Sequence, residues 1–419
     1  MEKRQFLKRF GQAAIVTPFL PMQLHALPTV CNRPYPVDDE GFWKRIRKDY
    51  ALKPDYINLE NGYYNFIPRP ILSKYVEHLK MVNYEGSYYM RTVQWDNKKN
   101  VAARLAKMVG VKTEELIITR NATESLDMVI GGFPWKKGDE ALFAVQDYGS
   151  MQDHFNLISK RYGIVNKVVS VPNYPENDEE LVKLYEDQIT SKTKLLMVSH
   201  MINITGHILP IRKICDMAHK YGVEVLVDGA HCIGHFEVNI SELHCDYYGS
   251  SLHKWLSAPL GTGLLYVAEK KIPKIWPLLA DYGKDESKIQ RLNHTGTHPV
   301  HSDLAINDAI DYLEIIGIQR KEKRMRHLQR YWSDQLRGVK NIVINTPKEE
   351  HRSCGIANVG ISHIRPADLA KILLDEFQIF TVAIDHANVQ GCRITPNIYT
   401  TIVELDKFVE TMKTLALRT

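Results

Sequence analysis

At 419 residues the chain exceeds what one small core needs and suits two domains, or one large domain with a smaller companion. Its 44% hydrophobic and 25% charged residues are those of an ordinary globular protein. A formal net charge of +5 over that length, with no basic block interleaved with aromatics, argues against nucleic-acid binding.

The chain opens MEKRQFLKRFGQAAIVTPFLPMQLHALP, a basic start followed by an apolar run too short to span a bilayer. KRQFLK at 3–8 resembles a twin-arginine export signal with lysine in place of the first arginine. Residues 1–28 are therefore expected to direct export to the periplasm. The alternative is a basic amphipathic helix on a cytoplasmic enzyme. No other stretch approaches a membrane span, so stable membrane insertion is not expected. The six cysteines, Cys31, Cys215, Cys232, Cys245, Cys354 and Cys392, are scattered and contain no C-x-x-C, which argues against a disulfide scaffold or a structural metal site.

From residue 99 the pattern alternates. KNVAARLAKMVG predicts a helix stopped at Gly110, EELIITRN a short strand, and ATESLDMVIGGF a helix starting directly after it. ALFAVQ, VNKVVSVP, KLLMVSH and VEVLVDGAH predict further strands. The helical patterns HFNLISKRYG, EELVKLYEDQI and IRKICDMAHKYG separate them, with Gly163 and Gly222 as stops. DYYGSSLHK and GTGLLYVA follow. Apolar runs such as VEVLV and KLLMV suit buried parallel strands. The alternation predicts an α/β fold with an open, mainly parallel sheet covered on both faces. Residues 300–337 read as helical, with 320–330 (RKEKRMRHLQR) as a polar helix face. NIVINTP, GIANVGI and IFTVAI predict a second, smaller sheet accompanied by helices in ADLAKILLDEFQ and VELDKFVETMKTLAL. The expected organisation is a segment at 29–59, a large domain at 60–290 and a smaller α+β domain at 291–419, to which the N-terminal segment contributes.

In open sheets ligands bind beyond the carboxyl ends of the strands, and several polar residues stand there. Asn121, Ala122 and Thr123 open a helix directly after a strand, which suits a phosphate, though also a plain N-cap. Asp147 and Tyr148 follow ALFAVQ, His200 and Asn203 follow KLLMV, and Asp228 ends VEVLV with His231 three residues on. Lys254 lies in SLHKWL, among apolar and small neighbours where a solvated ammonium does not belong. A lysine, a carboxylate and a phosphate cradle around one cleft describe pyridoxal phosphate. The lysine condenses with the aldehyde, the carboxylate keeps the ring nitrogen protonated, and the phosphate anchors the ring. GTG at 261–263 matches neither nucleotide-binding glycine pattern.

SLHKWLSAPLGTGLLYV, SHMINITGHILPI, LVDGAH, RNATES and GCRITPNIYTTIVELDKF, in this order, resemble the class V aminotransferase family of fold type I pyridoxal phosphate enzymes, in its isopenicillin N epimerase-like and cysteine desulfurase-like branch. The resemblance runs from about residue 58 to 410. It implies Lys254 as the Schiff-base lysine and Asp228 as the partner of the pyridine nitrogen. Ala122, Thr123, Ser251 and His253 would hold the phosphate. His231 and Asn203 would approach the ring oxygen, Asn203 also the substrate, and Tyr148 would stack on the ring. Arg393 would take the substrate carboxylate. Thr297 would reach a phosphate across a dimer interface, which implies a homodimer.

The reaction is less legible. Transamination is the first expectation, because it needs no base opposite Lys254. An isopenicillin N epimerase-like reaction is the alternative and would need a second acid–base group, for which Tyr148, His231 and Tyr89 are candidates. Carbon–sulfur lysis, cysteine desulfuration and a non-enzymatic relative follow. Desulfuration is disfavoured because Cys392 adjoins Arg393 and should point away from the substrate if the arginine points inward. Cys354 falls at the start of a strand.

Overall fold

The computed structural model describes residues 39–280 and 285–418. The expected export signal and Cys31 lie outside the described residues. A two-residue strand β1 (Ile57–Asn58) precedes the strands of the main sheet: β2 (Leu116–Thr119), β3 (Glu140–Ala144), β4 (Val165–Val169), β5 (Thr193–Ser199), β6 (Glu224–Asp228), β7 (Tyr247–Ser251) and β8 (Gly263–Val267). Their spatial order is β2-β8-β7-β6-β5-β3-β4. β8 runs antiparallel to β2 and β7, and the remaining pairings are parallel. The α/β expectation is met, with β8 as the exception to parallel order.

The central strands are buried along their whole length, as their apolar runs require. Helices Ala122–Gly132 and Gly149–Tyr162 cover the sheet through a core that includes Leu126, Val129, Phe143, Phe155, Met197 and Leu226. Phe143 and Phe155 stack with centroids 4.8 Å apart. Gly163 ends its helix at φ 71°, a left-handed conformation that costs glycine nothing.

A second sheet holds β9 (Ile342–Ile344), β10 (Ala357–Ile361), β12 (Val382–His386) and β13 (Val389–Ile394), all antiparallel in the order β12-β13-β10-β9. β11 (Ile379–Phe380) instead pairs in parallel with β1. The predicted strand IFTVAI is thus divided at Thr381, because its two halves serve different partners. Helices Ile318–Leu336, Pro366–Phe377 and Ile402–Ala416 build the second core around Leu328, Trp332, Val359, Leu373 and Phe408, and Leu59 from the N-terminal segment joins it. Helix Val300–Ile316 packs on helices Arg69–Glu85 and Gln94–Val109.

Candidate active site

Register sets the site. Ser199 on β5 pairs with Asp228 on β6, and Asp228 pairs with Gly249 on β7. The carboxyl ends of three neighbouring strands therefore lie level, and the turns leaving them open onto one cavity of about 290 Å³. Ala122, Thr123, Tyr148, Asn203, Asp228, His231, Ser251, His253, Lys254 and Arg393 all line it. Thr297 does not; it is exposed in the segment before Val300.

One end of the cavity is built for an anion. Asn121 caps helix Ala122–Gly132, its side chain accepting the Glu124 N–H at 2.9 Å, so the plain capping role is also present. The Ala122 N–H donates to Ser251 Oγ at 2.9 Å, tying the helix start to the end of β7. Ser251 is buried, and its own proton remains to be given. A Cβ on Gly263 would stand 2.7 Å from Asn121 Cα, so β8 can press against this turn only with glycine there. Among the described residues His253 Nδ1 is buried without a hydrogen-bond partner, and burial lowers this ring's pKa to about 4. A buried polar atom left in that state calls for a ligand atom.

At the other end Asp228 accepts the Ala230 N–H at 2.9 Å. Burial raises its carboxyl, while that hydrogen bond and the Lys254 charge oppose the shift. Lys254 is brought down to about 8, first by burial and further by Arg393, with Asp228 opposing. Its Nζ lies 3.1 Å from His231 Nε2. The Trp255 indole N–H donates to His231 Nδ1 at 3.3 Å, and burial holds the imidazole well below its ordinary pKa. Behind this pair, His235 stacks on Trp255 at 3.9 Å and takes the Gly355 N–H on Nε2 at 2.8 Å.

Arg393 stands on β13. Its Nε–H and Nη2–H donate to Glu60 at 3.1 and 2.6 Å, and its Nη1–H donates to the Asn203 carbonyl at 3.2 Å. Glu60 has no counterpart among the residues expected from the sequence, and neither do Gly62 and Tyr63, which line the cavity. NLENGYYN carries no spacing signal for them; the pairing of β1 with β11 and the hydrogen bonds of Leu59 and Asn61 with Thr395 bring the segment there.

Other strand-end residues have structural work. Asp147 accepts from Ser199 Oγ at 2.7 Å and from the Ala144 N–H at 2.8 Å, latching β3 to β5, and burial raises it to about 7. His200 Nδ1 meets the Tyr248 hydroxyl at 3.1 Å. Tyr89 is buried, its hydroxyl accepts from Asn97 at 3.1 Å, and it does not line the cavity. Every cysteine among the described residues is buried, and none lines the cavity. Cys392 Sγ points to the Pro366 carbonyl at 3.8 Å, as alternation along β13 requires when Arg393 faces the site.

These residues fit pyridoxal phosphate. The helix start, Ser251 and the orphaned His253 nitrogen suit its phosphate, Asp228 suits its ring nitrogen, and Lys254 suits its aldehyde. The comparisons agree. The sequence pattern of the family described as Aminotransferase class-V matches residues 67–408. An isopenicillin N epimerase of Amycolatopsis lactamdurans is 27% identical over 89% of this chain and 98% of its own length. A probable cysteine desulfurase of Halalkalibacterium halodurans is 26% identical over 69% of this chain and 73% of its own length. The solved cysteine desulfurase of Thermococcus onnurineus NA1 superposes with a TM-score of 0.78 at 22% identity, over 89% of this chain and 97% of that one, which speaks to the fold. The chain belongs to the aminotransferase class-V family and is a pyridoxal-phosphate-dependent enzyme of fold type I.

Proposed function

We propose that this enzyme moves the α-proton of an amino acid without a catalytic cysteine, and that epimerisation at the α-carbon is its reaction. The observation that carries the first part is a cavity lined by Lys254, Asp228 and Arg393 but by no cysteine of the described residues. The relatives support the second part. Isopenicillin N epimerases match along nearly their whole length, which moves the weight from transamination to the epimerase alternative.

When bound, the cofactor supplies an electron sink that makes the α C–H acidic. Asp228, buried at the cavity, would favour a protonated ring nitrogen. Arg393 fixes the substrate carboxylate, and with it the direction of the α C–H. Lys254 takes the proton. Epimerisation requires that a proton be returned on the opposite face, so a second group must serve the same carbon. His231 is already engaged with Lys254 at 3.1 Å, and Tyr89 lies outside the cavity. Tyr148 lines the cavity and is 44% exposed, so solvent can restore the proton its hydroxyl gives.

The test is one incubation of the holoenzyme with L- and D-amino acids in heavy water. Epimerisation gives deuterium at the α-carbon with inversion, and Tyr148→Phe abolishes the inversion while exchange through Lys254 persists. Keto acid formed only with a second keto acid present means transamination. Keto acid, ammonia and thiol from cysteine conjugates mean lysis. Either outcome replaces the epimerase reading.

Two further parts of this reading have their own tests. Thr297, exposed and outside the cavity, is read as reaching the cofactor phosphate of a second copy, so sedimentation should report a homodimer. Residues 1–28 are read as an export signal, so the protein should fractionate with the periplasm and lose that location when they are removed.

A further inference from the structure

The guanidinium of Arg393 has five N–H donors. Glu60 takes the Nε–H and one Nη2–H, and the Asn203 carbonyl takes one Nη1–H. One donor remains on Nη1 and one on Nη2. Glu60 is itself held, accepting the Tyr63 N–H on Oε1 at 2.8 Å. The two side chains are 8% and 7% exposed, and Glu60 does not line the cavity although Arg393 does. The carboxylate therefore stands behind the arginine. Gly62 closes the cradle: a Cβ there would lie 2.8 Å from Arg393 Cζ, so the backbone lies directly against the guanidinium.

We propose that Glu60 is a positioning residue that locks Arg393 so that only its remaining Nη1 and Nη2 donors meet the acid group of the substrate. The donors left on Nη1 and Nη2 can meet the two oxygens of a carboxylate. This inference rests on the reading that Arg393 takes the α-carboxylate.

The experiment measures binding to the holoenzyme through the absorption change of its cofactor. The probes are alanine and ethylamine, which has no acid group. The intact enzyme should prefer alanine to ethylamine by about tenfold or more, the size of one lost charge-assisted contact. Glu60→Gln offers one acceptor where the arginine had two. It should weaken alanine by roughly tenfold and leave ethylamine unchanged. If Glu60→Gln binds alanine as well or better, Glu60 competes with substrate and the proposal is overturned while the role of Arg393 stands. If Arg393→Leu keeps the preference for alanine over ethylamine, the carboxylate reading itself fails. If Glu60→Gln does not fold, Glu60→Asp keeps the charge but shortens the reach to Arg393, and alanine binding as tight as in the intact enzyme overturns the proposal.

Discussion

Lys254 Nζ and His231 Nε2 face each other at 3.1 Å, and the protonation of the pair is set from behind by Trp255. An indole N–H can only donate, so His231 Nδ1 must accept. Burial keeps the ring neutral, which leaves the imidazole proton on Nε2, aimed at Lys254. The contact is then satisfied only if Lys254 accepts, that is, as the free amine.

The first prediction concerns pH. The folded Lys254 titrates near 8, against an ordinary value of 10.5. Below pH 8 both folded and unfolded chains carry the proton, and the cost of the buried charge is fully present. Between those two values the unfolded chain binds the extra proton, so the cofactor-free protein becomes more stable as pH rises through that window. Denaturant titrations should find this rise, and Lys254→Met should remove it while stabilising the cofactor-free protein at neutral pH by roughly 1–3 kcal/mol. The rate of cofactor uptake, which needs the free amine, should be half-maximal near pH 8. Trp255→Phe should move that midpoint upward.

A second prediction concerns Asp228. Asp228→Asn keeps the shape and the Ala230 contact but removes the charge. Exchange of the α-proton should slow by about 10²–10³-fold, the usual effect of removing one preorganised electrostatic group. Cofactor content and the far-ultraviolet spectrum should be unchanged.

Cysteine chemistry is the third. Cys354→Ala and Cys392→Ala, singly and together, should leave α-proton exchange within about twofold of the parent rate. Burial raises both thiols to about 12, so neither is a thiolate near neutral pH. Stability should fall by about 1 kcal/mol for each, because the removed sulfur leaves a small void. Sulfane sulfur released from free cysteine, and lost in these variants, would show that a thiol does take part.

The fourth couples Arg393 to Glu60. Arg393→Leu leaves a buried carboxylate without its partner and should cost about 3–5 kcal/mol of stability. Adding Glu60→Leu should return much of that loss without restoring amino-acid binding. Denaturation midpoints of the four variants in the cycle measure the coupling.

The strand ends account for how much of the site the sequence discloses. Asp228, Ser251 and Lys254 follow apolar runs whose burial is evident from composition, and one rule about open sheets then gathers them at one edge. Arg393 needed the family resemblance, because GCRITP has no strand signal of its own. Glu60, Gly62 and Trp255 escaped altogether. Their roles arise from contacts across the fold, the Glu60–Arg393 pair being 333 residues apart in sequence. The break at Thr381 was hidden for a similar reason: IFTVAI has strand character throughout, and only pairing partners divide it. His231 was read as a candidate second acid–base group, and its 3.1 Å contact with Lys254 is one that spacing cannot give.

The separation between Glu60 and Arg393 also orders events in time. The phosphate turn, Asp228 and Lys254 all lie between residues 121 and 254, so the cavity's own groups that suit the cofactor have been synthesised while more than a third of these 419 residues is still to come. The carboxylate fork waits for β13, near the end, to close on a segment made at the beginning, and a loop of that length closes slowly. A growing chain thus acquires the means to hold its cofactor before the means to recognise what the cofactor acts on. Discrimination among substrates is the last property this fold completes.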